Sequence, residues 1–334
     1  MRRSISRKRW SRRRWQGSTL GEPVVLAFDF GGSKIGVAIA DLEGTRLADA
    51  KVITKPERGA GWNFAQAVAC ARQLMAASAI ELDLVAIGAC TFGIPTDHGV
   101  LLAPAIPGWE RLALRRELSD AFQCRAVSLR TDVKAAAEAE ARSGALVGAD
   151  PAIYLNLGTG LAVGIVCGGR VVNGANGAAG EIGYNLRQVN DLDLVDMTRL
   201  EDVVSGMALA AAAGRVTGVS LTAAQVFEAE PDNDGLAAAV DSFVRELSFH
   251  IVNLCTALNP TRVAVGGGII RSWARIEPQL RRALGSFCPF PPELVPGAYP
   301  YDAALVGAIT LGLQEASALE HSTRIKDRHV RHID

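Results

Sequence analysis

The chain has 334 residues, of which 49% are hydrophobic and 21% are charged. This composition excludes a mostly disordered chain, and the length exceeds that of most single domains, so we predict two lobes around a cleft. Because the longest apolar runs are interrupted well short of a bilayer span, we expect no transmembrane helix and no membrane partner.

The net charge of zero conceals a basic N-terminal segment. Residues 1–16 hold eight of the 35 lysines and arginines and no acid, which leaves 27 basic and 35 acidic residues, a net charge of −8, in the rest. Such a segment is either an arm for nucleic acid or a disordered tail. Because it lacks apolar periodicity, we predict a disordered tail over residues 1–23. No apolar segment follows the arginines, so we predict no secretory signal and a cytoplasmic protein.

The first predicted element is a hairpin over Val24–Asp41, in which two apolar runs flank a turn of small residues, Gly31 to Lys34. An acid, Asp29, interrupts the first run just before that turn. Apolar periodicity and capping residues then predict helix Trp62–Ala77, strand Leu84–Cys90, helix Leu112–Phe122, strand Ala126–Leu129 and a helix from Thr131 or Asp132 to Gly144.

A second copy of this opening plan follows at Ala152–Val172, where apolar strands flank the turn Gly158-Thr159-Gly160. The two turns are 127 residues apart, which predicts a duplicated lobe. The predicted lobes are residues 24–131 with 303–319, and residues 132–302. The remaining predictions are helices within Leu200–Leu258, strand Arg262–Val265 before Gly266-Gly267-Gly268, an apolar helix Ala303–Ala316 that crosses back onto the first lobe, and a polar tail from Glu320.

Three glycine turns thus follow three predicted strands. Such turns let backbone N–H groups approach an anion closely, so together they indicate a nucleotide phosphate, although each alone is compatible with an ordinary hairpin. The chain has no P-loop, and Gly158–Gly164 has its last glycine one residue too late for a dinucleotide-binding fingerprint. The six cysteines are widely spaced, so we expect neither disulfides nor a thiolate metal site.

Five segments within residues 24–316 carry a more specific signal. They read, in order, DFGGSKIGVAIAD, APAIPGW, LNLGTGLAVGIVCGGRVVNGANGAAGEIGY, LEDVVSG and NLCTALNPTRVAVGGGI. These segments resemble the motifs of the ROK family (repressor, ORF, kinase). The resemblance implies an α/β, two-lobed actin/hexokinase-like (ribonuclease H-like) fold with a cleft between the lobes, and an ATP-dependent sugar kinase that uses Mg²⁺.

The same resemblance implies roles for individual residues. Asp132 is the implied general base, which accepts the proton of a sugar hydroxyl. The local sequence alone instead favours Asp132 as a helix N-cap. Glu181 and Glu201 are implied to hold sugar hydroxyls, although Glu201 is also typical of a solvated acid at a helix start. Asp29 is implied to bind Mg²⁺ through water. The local sequence alone instead favours an Asp whose side chain caps the turn that follows it. The implied ATP contacts are Gly31, Gly32, Ser33, Lys34, Gly158, Thr159, Gly160, Gly266, Gly267 and Gly268.

The expected sugar pocket departs from the family pattern. Tyr184 stands at the position of a zinc-binding His, Thr131 at the Asn before the base, and Thr91-Phe92, followed by Gly93, at a Pro-Gly pair. The loop after Tyr184 has no Cys, so we predict no zinc site. These changes leave the sugar open between a hexose and an amino-hexose, with phosphorylation expected at O6. Three further acids either favour a cationic sugar or belong to a solvated loop: Asp191, Asp193 and Asp196.

Two other functions are compatible with the sequence. ROK repressors add an N-terminal helix-turn-helix, but only 23 residues precede the first strand, so we expect no nucleic-acid partner. The altered pocket also permits a sugar-binding protein without turnover, against which Asp132 argues. A small-molecule sugar and a second copy of the chain, in a homodimer, are therefore the expected partners, and polyphosphate is an alternative donor to ATP.

Overall fold

A computed structural model describes residues 21–193 and 198–330, and for residues 322–330 it describes the backbone alone. The first 20 residues of the predicted basic tail lie outside the described residues, as does Asp196. The chain divides into two compact units, one formed by the chain up to Leu129 together with the segment from Ala308, the other by Arg130–Gly307. Within the described ranges, no helix has the length and apolar character needed to cross a membrane.

The first unit is built on a five-stranded sheet. Its elements are β1 (Glu22–Phe30), β2 (Lys34–Asp41), β3 (Arg46–Ile53), α1 (Gly59–Ala76), β4 (Leu82–Thr91), β5 (Ile94–Pro95), β6 (Val100–Leu101), α2 (Leu114–Phe122) and β7 (Val127–Thr131). The strand order is β3-β2-β1-β4-β7, with β1 antiparallel to β2 and parallel to β4. The predicted hairpin over Val24–Asp41 is therefore confirmed as β1 and β2.

The second unit repeats this plan. Its elements are α3 (Asp132–Ser143), β8 (Ala152–Leu157), β9 (Leu161–Cys167), β10 (Arg170–Val171), α4 (Gly206–Thr217), α5 (Ala223–Ala229), α6 (Asp234–Leu258), β11 (Arg262–Gly266), α7 (Trp273–Phe287) and β12 (Glu293–Pro296). The strand order β10-β9-β8-β11-β12 again joins an antiparallel meander to parallel strands. The two sheets share one topology, which confirms the predicted duplication.

The second sheet is covered on both faces. Alternation along the strands turns Tyr154 and Ala264 toward α3 on one face, while Leu155 and Val263 face the core of helices α4 to α7 on the other. Helix α3 lies close to the sheet, because a Cβ built on Gly164 would be 2.3 Å from the Cβ of Ala137. This close approach fixes the position of α3 on the sheet.

The last helix, α8 (Ala303–Val330), extends further than predicted. The helix continues into the predicted polar tail from Glu320, because no Gly or Pro follows Ala316 to end it. In the first unit the helix packs on the sheet, since a Cβ built on Gly312 would be 3.2 Å from the Val25 Cβ. From Ala308 onward the terminal helix belongs to the first unit.

Gly88 lies where α8 meets β4, and we expect Gly88→Ala to lower the free energy of unfolding by about 2–3 kcal/mol. A Cβ built on Gly88 would be 1.8 Å from the Ala308 carbonyl oxygen and 2.5 Å from the Gly312 nitrogen, so the helix must shift. Gly61→Ala in α1 is the matched control, because its Cβ would meet nothing within 4 Å. Chemical denaturation measures both, and equal stabilities would contradict the packing.

Candidate active site

The first glycine turn joins β1 to β2 and is held by three backbone and side-chain bonds. The Gly31 N–H donates to the Lys34 carbonyl at 3.0 Å, the Thr54 hydroxyl donates to the Gly31 carbonyl at 2.8 Å, and the Thr54 N–H donates to the Ser33 carbonyl at 3.1 Å. Ser33 and Lys34 are exposed. At the end of β1, half-buried Asp29 accepts the Cys90 thiol at 3.5 Å. The turn is therefore rigid, open to solvent and beside a carboxylate.

The loop after β4 is anchored by an indole. Thr91 is fully buried, and its hydroxyl accepts from Trp109 Nε1 at 3.0 Å and donates to the Phe92 carbonyl at 2.9 Å. The Phe92 ring stacks on Trp109 with centroids 5.4 Å apart. Gly93 has φ +74°, which a side chain rarely adopts. The hydroxyl of Thr91 is thus used inside the unit, while Phe92 and Gly93 are half-buried.

The second and third glycine turns lie at the same edge of the second sheet. β8 and β11 are parallel neighbours, with Gly266 opposite Asn156, so both turns follow carboxyl ends of adjacent strands. A Cβ on Gly267, which has φ +85°, would be 2.3 Å from the Leu157 carbonyl oxygen. Only glycine permits this approach. The structure therefore brings together two of the three turns; the first lies in the other unit.

Glu201 lies directly against the second turn. Its Oε2 accepts the Leu161 N–H at 2.8 Å, and a Cβ on Gly160 would be 2.5 Å from that oxygen. The Gly206 N–H, at the start of α4, donates to the Gly158 carbonyl at 2.8 Å. Glu201 is therefore held by its bond to the residue after the turn, and it is also an exposed acid in the first turn of a short 3₁₀ helix, Leu200–Asp202.

Two residues of the candidate site lie at the start of helix α3. Thr131 is the N-cap, because its hydroxyl accepts the Lys134 N–H at 3.3 Å. Asp132 is the first helical residue, half-buried, and its Oδ1 accepts the Val133 N–H at 2.8 Å. The cap function that local sequence favoured for Asp132 is thus performed by Thr131, and Asp132 is not required for it.

The sequence interpretation missed Lys134, whose side chain is 1% exposed. Helical spacing pairs Lys134 with Glu138 on a solvated face, whereas its Nζ is 3.7 Å from Glu181 Oε1. Burial lowers the pKa of Lys134, against the opposing effect of the Glu181 charge. Burial likewise raises the pKa of Glu181, which Lys134 counteracts and the charges of Asp132 and Glu201 reinforce. These four charged groups therefore form one electrostatic cluster.

The loop that follows Glu181 is held by ion pairs and by hydrogen bonds from backbone amides. Tyr184, 40% exposed, stacks under the Arg199 guanidinium, 4.5 Å from the ring centroid. Arg187 forms two hydrogen bonds to Glu246 of α6. Asp191 is buried and accepts the N–H groups of Arg187 and Gln188. Of the acids for which a solvated loop and a cationic-sugar role were both open, Asp191 is part of the loop's interior and Asp193 is exposed.

Comparison with known proteins gives matches that span most of the chain. A model of the ROK family matches residues 25–315. The glucokinase of Halalkalibacterium halodurans is 27% identical over 326 residues, 88% of this chain and 96% of that protein. The kanosamine kinase of Amycolatopsis mediterranei is 26% identical over 301 residues, 87% of this chain and 97% of that protein.

A solved structure gives the same result for the fold. The ROK family glucokinase from Streptomyces griseus, in complex with glucose and AMPPNP, matches with a TM-score of 0.73 at 26% identity, over 87% of this chain and 99% of that one. The predicted fold class, α/β of the two-lobed actin/hexokinase-like (ribonuclease H-like) type, is confirmed by this similarity.

Proposed function

This chain belongs to the ROK family and is a carbohydrate kinase, and we propose that it transfers the γ-phosphate of ATP to O6 of a hexose or amino-hexose. One observation carries the proposal. In the second unit Asp132 and Glu201 both interact electrostatically with Glu181, and Glu201 accepts the N–H of Leu161, the residue directly after the glycine turn. The acids suited to a sugar thus adjoin a turn suited to a phosphate.

Asp132 acts in this proposal as the general base. Its carboxylate accepts the proton of the sugar hydroxyl while that oxygen bonds to the γ-phosphorus and the bond from phosphorus to the β-phosphate oxygen breaks, which leaves ADP. Thr131 caps α3, so helix capping does not require the Asp132 carboxylate. Backbone amides of the glycine turns donate to the transferring phosphate.

Sugar recognition is assigned to carboxylates and to two loops. Glu181 and Glu201 accept hydrogen bonds from sugar hydroxyls and thereby select stereochemistry. Phe92, Gly93 and Tyr184 are the other proposed sugar contacts. Thr91 and Thr131 have buried, hydrogen-bonded hydroxyls, so their proposed effect is indirect. They hold the Phe92 loop and the start of α3, respectively.

Mg²⁺ is expected to accompany the nucleotide. Among the residues that the structure describes, no cluster of three or more His, Cys, Asp or Glu could hold a metal, which fits an ion bound mainly by phosphate oxygens and water. Asp29, whose oxygens suit a hard cation, is the proposed protein partner through water. An Mg²⁺ ion held there would supply positive charge that offsets the phosphate charge. Zinc is not part of the proposal, and a homodimer in the cytoplasm remains our expectation.

The test is ADP release coupled to a spectroscopic readout, with a panel of glucose, mannose, their N-acetylated forms and free amino sugars. We expect sugar-dependent release of ADP from MgATP with at least one member, and a 6-phosphate as product by ³¹P NMR. Reactions without sugar control for ATP hydrolysis, and polyphosphate replaces ATP in a parallel series. Sugar binding without ADP release or phosphorylated product would contradict the proposal and favour the non-catalytic alternative.

A further inference from the structure

Lys134 is a buried cation at the centre of the proposed sugar site. It lies two residues after Asp132, within an otherwise Ala-rich helix, and its side chain is 1% exposed against 25% for Glu181. An ammonium group loses several kcal/mol of hydration when it is buried, and it is retained only where a counter-charge compensates. Its ion-pair partner is Glu181, at 3.7 Å.

The surrounding charges define what this pair does. Asp132 and Glu181 stabilise the Lys134 ammonium, while Arg130 opposes it. The Lys134 charge favours the ionised form of Glu181. The charges of Asp132 and Glu201 disfavour that form. Lys134 is therefore the cation that counteracts both burial and two neighbouring acids at Glu181.

We propose that Lys134 is a positioning and specificity-determining residue for Glu181. It keeps Glu181 ionised and offsets the negative charge of that carboxylate. Glu181 therefore accepts a hydrogen bond from a neutral sugar hydroxyl and does not bind a sugar ammonium. This inference rests on the proposed function and narrows its substrate class to neutral hexoses, N-acetylated ones included. A sugar ammonium at Glu181 would have to share the carboxylate with Lys134 and would be repelled by it. A hydroxyl needs only a free lone pair on an ionised oxygen.

The experiment compares glucose with glucosamine, at a pH where its amine is protonated, as substrates of the wild-type protein and Lys134→Met. In the variant Glu181 regains an uncompensated charge, so the ratio of kcat/KM for glucosamine to that for glucose should rise about tenfold or more. Loss of the ammonium also raises the pKa of Glu181 further, so the acid limb of kcat/KM for glucose should move up by about one pH unit. Lys51→Met, an exposed lysine of β3, is the control and should change neither quantity.

An equal loss for both sugars with an unmoved acid limb would overturn the proposal, because it is what a purely structural lysine predicts. Calorimetric affinities of both sugars for the wild-type protein need no variant and no turnover. They should favour glucose, and tighter binding of glucosamine would also overturn it. If Lys134→Met does not fold, the neutral Lys134→Gln is measured in the same way. Tighter binding of glucose without any phosphorylation would contradict the proposed function alone and leave this inference supported.

Discussion

Asp132→Asn should lower kcat for sugar phosphorylation by about 10²–10⁴-fold and leave the chain folded. The amide has the shape of the carboxylate and keeps an oxygen that can accept the Val133 N–H. It cannot accept the sugar proton at neutral pH, so attack on phosphorus loses its base. Because the N-cap bond belongs to Thr131, α3 should persist. Coupled ADP release measures the rate, and thermal unfolding measures the fold.

Asp234→Asn provides the matched control for this substitution. Asp234 is likewise the first residue of a helix, α6, whose N-cap is a different residue, Asn233, and it is exposed. The control should therefore match any small effect of removing a charge from a helix start without loss of turnover. Turnover of Asp132→Asn within about tenfold of wild type would contradict general-base catalysis by this residue.

The elements that carry the glycine turns were predictable because their signals are local. Val24–Phe28 is a continuous buried run, typical of a strand covered on both faces, and the residues of the turn limit what can follow it. The repeat at Ala152–Val172 follows from the same pattern. Because the strands were predicted correctly, Gly158 and Gly266 were expected at strand ends. The parallel pairing of these two strands places those ends side by side.

Burial of charged residues was not predictable from local patterns. Lys134 and Glu140 stand on a helix whose spacing is compatible with a solvated charged face, yet both are buried because α3 is covered on more sides than an amphipathic helix. Asp191, for which a solvated loop was one of two sequence alternatives, is buried as well. In each case the partner is distant in sequence or is a backbone amide, such as those of Arg187 and Gln188 for Asp191. Tertiary contacts of this kind leave no periodic signal.

Glu140 joins α3 to two other segments of the second unit. The carboxylate is fully buried, and Oε2 accepts the N–H groups of Ala145 at 2.6 Å and Ala298 at 3.1 Å, while Oε1 accepts that of Tyr299 at 3.1 Å. A Cβ on Gly297 would be 2.8 Å from Oε1, so the segment before α8 closes tightly over the carboxylate. One side chain thus satisfies three backbone donors that have left regular structure.

Glu140→Ala should therefore lower the free energy of unfolding by about 3–5 kcal/mol, since it removes three hydrogen bonds from backbone amides to a charged group, each worth about 1.5–3 kcal/mol. Glu140→Gln should lower the free energy of unfolding by less than Glu140→Ala, because the amide keeps one oxygen that accepts hydrogen bonds. Some loss should remain, because the NH₂ group that replaces the other oxygen faces N–H donors. Glu228→Ala, an exposed glutamate of α5, is the control and should stay within about 0.5 kcal/mol of wild type. Denaturant unfolding decides between them: equal midpoints for Glu140→Ala and Glu228→Ala would mean that water replaces the carboxylate at no cost.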